Sequence, residues 1–361
     1  MTVAKQRTIR VGIDGGDYYP GEKPLGGIAR LVGSFLGTIS GIADMSVKFR
    51  YYFFGSNVAK VNIDNVVVNN LPKRFFSSIF LPFRLIFDRS DLYLGFSGII
   101  PPIIRFFKIK CITFIHDFGF YDHPNYYHDP KKMQWQTEYA IYGSEKIIVF
   151  SEYIKQQLLK RFLRVSPEKV VCIYPGVDHI VANKNLRKIN GSYFLYVGVI
   201  KPGKKIVELL DIFSQYLKQP KSKKERLYLI GAKEPEYYKS ILKNLVYLKI
   251  QKYITFLEDV TEQDLISYYV GCRALLNTSH EEGFCYPVIE ALSLGKKVIV
   301  NDIPLYKEFI PYFKSLYITK DKKSFINEML TDGSISKNPG KHPFHWQMFT
   351  EGVLQTIKKT V

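Results

Sequence analysis

Residues 280–294 read HEEGFCYPVIEALSL. Two acids stand out: Glu282, in what reads as a loop, and Glu290, eight positions on. Pro287 suits the first turn of a helix and Gly295 its C-terminal end, so the spacing predicts a helix starting near Tyr286. A short apolar run, 273–276, precedes it with strand character. Strand, loop and helix in this order are the repeating unit of a parallel sheet. The free amides at the helix start, with those of the loop 282–285, can face an anion. The two acids can reach different parts of one extended ligand. A carboxylate accepts two hydroxyl hydrogen bonds at once, which suits the vicinal diols of sugars and ribose. The plainer reading is an amphipathic helix with two surface acids; Gly283, Phe284 and Pro287 in special positions weigh against it.

The same alternation extends in both directions. Strands are predicted at 9–13, 47–54, 92–95, 110–115, 146–150 and 170–174, and a second series at 193–197, 226–230, 254–256, 273–276 and 297–300. Helical spacing lies between them, as at 152–162 and 206–216. The pattern predicts parallel sheets covered on both faces. The polar stretch 181–192 has no apolar period and reads as a linker. The expected architecture is α/β, with two doubly wound Rossmann-like domains (1–185 and 186–344) facing each other across a cleft. In such sheets ligands bind beyond the carboxyl ends of the strands.

Composition supports a soluble or peripheral protein with a sizeable core. Of 361 residues, 46% are hydrophobic and 23% charged, and the formal net charge is +18. The excess favours anionic partners: phosphates, nucleic acid or an anionic membrane surface. The cysteines Cys111, Cys172, Cys272 and Cys285 form no C-x-x-C pair, so neither a disulfide framework nor a zinc site is expected, and a reducing cytoplasmic setting is the plain reading. No apolar run approaches the roughly 18–20 residues of a spanning helix. No secretory signal is read at the N-terminus. The stretch 71–88, LPKRFFSSIFLPFRLIFD, joins aromatics to Lys73, Arg74 and Arg84. It reads first as a core helix and loop, with a membrane-surface segment as the alternative.

Several residues carry candidate chemistry. Gly26 and Gly27 follow the first strand and let backbone approach a phosphate; the spacing is not G-x-G-x-x-G, so a dinucleotide site is not favoured. Lys201, Lys204 and Lys205 follow the strand 193–197, where a lysine can stabilise a departing diphosphate. His116 and Asp117 end the strand 110–115. No D-x-D tripeptide follows a strand, so lysines and helix dipoles are expected in place of a metal ion.

EGFCYPVIEAL resembles the E-x7-E signature of retaining glycosyltransferases of family 4 (glycosyltransferase group 1), which have the GT-B fold. LGGIAR at 25–30 resembles the family's glycine-rich first loop, IHDFGFYDHP at 115–124 the segment of its active-site histidine, and YVGVIKPGK at 196–204 its phosphate-binding loop. IIVFS, PGVD and ITFLEDVTEQDL resemble further family segments, and Trp346 falls before the last helix.

The resemblance implies a hexosyltransferase that uses a nucleotide-diphosphate sugar and no cofactor. His116, Glu282 and Lys204 would be catalytic. Gly26, Gly27, Lys201, Lys205, Gly283, Phe284, Cys285 and Glu290 would lie on the donor side, with Glu290 on the ribose and Cys285 narrowing the space near the phosphates. Asp117 and Arg30 would lie on the acceptor side. Residues 345–361 would form a helix crossing back to the first domain. The form of the histidine segment resembles mannosyl- and rhamnosyltransferases of surface-polysaccharide assembly. The expected partners are therefore GDP-mannose first, a saccharide or lipid-linked acceptor, and an anionic membrane surface, without nucleic acid.

The sequence departs from the family where Val199 and Gly203 replace a common arginine, for which Lys201, Lys205 or Arg30 would compensate. The departure leaves a silent sugar-nucleotide-binding protein as the alternative. A basic nucleic-acid-binding protein and a GT-B epimerase lie further off.

Overall fold

The computed structural model describes residues 8–16, 26–39, 41–42, 46–54, 66–180, 187, 189, 191–332 and 341–361. The boundary at 185 and most of the linker assigned to 181–192 lie outside the described residues, as does Leu25 of the glycine-rich loop.

Runs of Val, Ile, Tyr and Phe build two parallel sheets. The first contains β1 (Ile9–Gly16), β2 (Val47–Phe54), β3 (Val66–Leu71), β4 (Leu92–Gly95), β5 (Lys110–Ile115), β6 (Lys146–Val149) and β7 (Val170–Cys172), in the order β3-β2-β1-β4-β5-β6-β7. The second contains β8 (Tyr193–Val197), β9 (Arg226–Ile230), β10 (Ile254–Leu257), β11 (Ala274–Asn277), β12 (Lys297–Asn301) and β13 (Leu316–Thr319), in the order β10-β9-β8-β11-β12-β13. The order reverses between β1 and β4, and again between β8 and β11, which opens a crevice at each place. β3 and β13 lie outside the sequence prediction. Both are edge strands, and β3 carries Asn69 and Asn70, which read as turn formers, just before its last residue Leu71.

Six helices matter to the site and its surroundings: α1 (Gly27–Ile39), α2 (Leu81–Phe87), α3 (Pro130–Gly143), α4 (Ile206–Lys218), α5 (Tyr286–Ser293) and α6 (Trp346–Thr360). The period-2 alternation of each strand divides its side chains between two layers. On β5, Ile112 and Phe114 join the core that includes Leu31 and Phe35 of α1, while Cys111 joins Leu81 and Leu85 of α2 and Ala140 of α3 on the other face. On β8, Phe194 and Tyr196 pack with Leu209 and Phe213 of α4, while Tyr193 and Leu195 share a core with Val288 and Ile289 of α5.

α6 packs on the first sheet. Phe349 lies 6.3 Å from Phe35 and 6.4 Å from Phe114 between ring centroids, and Lys110 Nζ donates to the Thr360 carbonyl at 2.7 Å. Gly176 is required at the crossing, because a Cβ there would collide with the Trp346 backbone. α2 differs from the core helix expected at 71–88: Leu81, Pro82 and Leu85 are buried, but Phe83 and Phe87 face outward.

Candidate active site in the interdomain cleft

The crevice between β8 and β11 explains how residues 78 positions apart meet. β8 leads into a loop and short turn ending at Lys204, and β11 leads into the loop that carries Glu282. Thr278 Oγ1 donates to the Lys205 carbonyl at 3.2 Å and ties the two loops together. Lys204 Nζ then donates to Glu282 Oε1 at 2.6 Å. Burial works against the Lys204 charge, but the Glu282 carboxylate more than offsets it, so the ammonium pKa rises above its ordinary value.

Glu290 sits on α5 and is 2% exposed. Its Oε1 is paired with the Arg30 guanidinium of α1, and Tyr269 donates to its Oε2 at 2.7 Å. His179 Nε2 lies 3.5 Å from Oε1. Burial pushes this carboxyl up, but Arg30, His179 and Tyr269 together bring it down to about 2. Arg30 also approaches Glu262 at 3.7 Å. Its guanidinium is thus committed to the Glu290 end of the cleft, far from a role beside Lys204. The indole of Trp346 donates to His179 Nδ1 at 3.3 Å, which joins the crossing segment to the same cluster.

From the first domain, β5 delivers His116 and Asp117. His116 Nε2 lies 2.7 Å from the Phe96 carbonyl, which can only accept, so Nε2 carries the proton. Burial lowers the imidazole pKa, only partly countered by the Phe96 carbonyl and Asp117. The neutral ring leaves Nδ1 as an acceptor. Asp117 Oδ1 accepts from the Gly119 amide at 3.0 Å. The domains touch here: a Cβ on Gly283 would collide with the His116 carbonyl oxygen, and Ser151 Oγ donates to the Gly283 carbonyl at 2.8 Å. Only glycine allows this approach.

Asp117, Tyr127, Lys204, Glu281 and Glu282 line a cavity of about 40 Å³. That is room for about one water. Lys201 and Lys205 reach across the cleft to tyrosines: Lys201 Nζ lies 5.6 Å from the Tyr127 ring, and Lys205 Nζ donates to Tyr126 OH at 3.0 Å.

Three expected donor-side residues have other contacts. Phe284 is buried, its ring against Phe309 and Phe344 at 6.1 and 5.8 Å. Its ring belongs to the core, which leaves only its backbone for a ligand. The Cys285 thiol does not project into the phosphate space. It turns inward, accepting from Asn277 Nδ2 at 3.4 Å and from Tyr306 OH at 3.7 Å. Burial pushes its pKa well up, which removes a thiolate from consideration. Cys285 adopts φ +61° at the helix entry, a conformation that favours glycine. Gly27 approaches the Tyr286 ring, whereas Gly26 has open space around it.

The sequence reading missed Glu281, whose carboxyl is pushed up to about 7 by burial and by Asp122 and Asp117. It also missed Tyr126, Tyr127, Tyr269 and His179. The only available signal was for His179, which directly follows PGVD. Among the described residues, no three of His, Cys, Asp and Glu gather as a metal site requires.

Fold and cleft together define a GT-B protein, two parallel-sheet domains meeting at a polar cleft. Residues 180–339, most of the second domain, match the family described as Glycosyl transferases group 1. Among curated proteins the chain is similar to the O-antigen chain mannosyltransferase RfbU of Salmonella typhimurium, with 27% identity over 60% of this chain and 59% of that protein. It is also similar to O-antigen chain mannosyltransferase B of Escherichia coli, with 25% identity over 56% of this chain and 55% of that protein. The chain thus spans less than two thirds of the length of these relatives. Among solved structures, it superposes on sucrose-phosphate synthase of Thermosynechococcus elongatus, with TM-score 0.74, 15% identity and coverage of 98% and 99%. It also superposes on Anabaena HepE in complex with UDP and glucose, with TM-score 0.71, 14% identity and coverage of 97% and 100%. The GT-B fold expected from the E-x7-E resemblance is therefore present, and the stretch that carries the signature lies within the residues that match the group 1 family.

Proposed function

We propose that the protein is a retaining glycosyltransferase that moves a hexose from a nucleotide-diphosphate sugar to a saccharide or lipid-linked acceptor in cell-surface polysaccharide assembly, working at the cytoplasmic face of the membrane. The observation that carries this reading is the pairing of Lys204 with Glu282 where β8 and β11 diverge, with Asp117 lining the same cavity and the His116 backbone against Gly283. The mannosyltransferase relatives support GDP-mannose as the first donor to test.

In this reading the donor diphosphate takes Lys204 from Glu282, and the ammonium stabilises the negative charge that develops on the leaving oxygen. Glu282, freed, accepts from donor-sugar hydroxyls. Glu290 accepts from the ribose diol, sharing or replacing its present donors Arg30 and Tyr269. His116 lines the sugar, and closure over the site excludes water. The lysine and the amino end of α5 supply the positive charge that a metal ion would otherwise bring, so neither metal nor cofactor is required.

The test is GDP release from GDP-mannose in the presence of lipid-linked saccharide extract, with EDTA present. Release coupled to sugar incorporation, and lost in Lys204→Ala, supports the proposal. Equal release by wild type and Lys204→Ala contradicts it.

A further inference from the structure

We propose that α2, the turn Pro102–Phe107 and α3 form a docking surface for an anionic lipid bilayer. The three elements cover one face of the first sheet. Leu81 and Leu85 of α2, Ile104 of the turn and Ala140 of α3 share one core cluster with Tyr52 and Tyr93. Their opposite sides carry large apolar groups: Phe83 is 61% exposed, Phe87 77%, Phe106 85% and Trp135 57%. Phe83 and Phe87 are four residues apart and share one helical stripe. The elements are adjacent. Tyr139 OH donates to the Pro102 carbonyl at 3.1 Å, Trp135 stacks on Tyr139 at 5.8 Å, and Phe107 lines the same depression as Leu85, Ile86 and Arg89. Single exposed apolar residues are ordinary; a cluster of large ones marks an interaction surface.

Charge identifies the partner. Arg74, Arg84, Arg89, Arg105 and Lys108 interleave with the rings, with Arg74 5.0 Å from the Phe75 ring and Arg84 5.3 Å from the Phe87 ring. The acids here are partnered: Asp88 is buried and paired with Arg50 and Arg84 at 2.9 and 3.1 Å, Asp91 accepts from the Arg10 amide at 2.9 Å, and Glu138 of α3 accepts from Tyr121 OH at 3.2 Å. Phenylalanines suit the acyl boundary, cations the headgroup phosphates, and Trp and Tyr the interface between them. A second copy of a chain carrying +18 would be repelled from this face. Among the described residues no helix is long and apolar enough to cross a membrane.

The surface leads towards the cleft. α3 begins at Pro130, three residues after Tyr127 of the cavity. A lipid-linked acceptor could therefore approach the site while its tail stays in the bilayer. The inference rests on the proposed function for this last step only, and its test reads binding and not transfer.

The experiment is co-sedimentation of the full chain with vesicles of an equal mixture of phosphatidylcholine and phosphatidylglycerol, and with phosphatidylcholine alone. The expected result is binding to the anionic vesicles that weakens with salt. Phe87→Ser combined with Phe106→Ser should lower it on the order of 100-fold. Arg74→Gln with Arg89→Gln should lower it on the order of tenfold. Tyr247→Ser, exposed on the second domain, should leave it unchanged. Circular dichroism checks that each variant is folded. No binding to anionic vesicles, or equal binding by the phenylalanine variant, overturns the proposal. Concentration-dependent dimerisation that this variant abolishes would instead assign the face to a second copy, and would also overturn it.

Discussion

Replacing Arg30 with alanine tests the clasp between α1 and α5. Glu290 is 2% exposed, yet its carboxyl is held at about 2 against an ordinary 4.5. Burial alone would push it the other way, and Arg30 is the strongest influence opposing burial. Lowering a carboxyl from 4.5 to about 2 corresponds to about 3 kcal/mol. Because the folded value is depressed, this stability is fully present above pH 4.5 and is lost as pH falls from 4.5 towards 2. Without Arg30, burial dominates and the charged carboxylate becomes a burden at neutral pH. The expected loss is about 3 kcal/mol, comparable to the cost of removing one member of a buried pair. Urea unfolding, followed by fluorescence, reads it; Trp346 lies beside the pair through its bond to His179. The deficit should be largest near pH ~7 and should shrink near pH ~3, where the wild type has lost part of the same contribution. Glu290→Gln added to Arg30→Ala should recover part of the loss, since no lone charge is then buried. A variant within about 0.5 kcal/mol of wild type at neutral pH, or a deficit that ignores pH, would refute the reasoning.

Other positions make independent predictions. Lys204→Ala should cut turnover on the order of 100-fold or more while the fold stays intact by circular dichroism; full activity would exclude Lys204 from the diphosphate. Gly283→Ala should weaken donor and acceptor use together, because its Cβ pushes the His116 backbone away; steady-state kinetics unchanged from wild type would contradict the close approach. Cys285→Gly should alter thermal stability by less than about 1 kcal/mol, since relief of the left-handed backbone offsets the lost sulfur contacts. The native Cys285 thiol should likewise resist a thiol reagent that labels the unfolded chain, and rapid labelling of the folded protein would show that it faces the cleft. Activity should persist in excess EDTA; abolition reversed by Mg²⁺ or Mn²⁺ would end the metal-independent reading.

Much of this architecture is written locally in the sequence. β2, β4, β5, β8 and β9 are short aromatic and β-branched runs bounded by polar residues, so each announces itself without tertiary context. α5 is equally legible, because Pro287 fixes its entry and Gly295, at φ +71°, follows its end. β3 is less legible than the other edge strands, β7 and β10, because Asn69 and Asn70 interrupt its apolar run, and nothing local accounts for the missed β13. The Lys204–Glu282 loop pair follows from the strand order that places β8 beside β11, which no local pattern encodes. The Arg30–Glu290 pair is hidden for the same reason: 260 residues separate two side chains that meet only once the domains close. The inward turn of Cys285 and Phe284 depends on Tyr306 and Phe344, whose positions the motif itself does not contain.

The most direct measurement is a metal-free thermal-shift panel with GDP, UDP and dTDP on wild type and Glu290→Ala. At about 100 times the dissociation constant, the bound nucleotide should stabilise the wild type by about 2.7 kcal/mol. The account predicts a selective shift, with GDP first, that Glu290→Ala greatly reduces. No shift with any nucleotide, or the same shift in Glu290→Ala, would contradict a donor site built on the E-x7-E loop and helix.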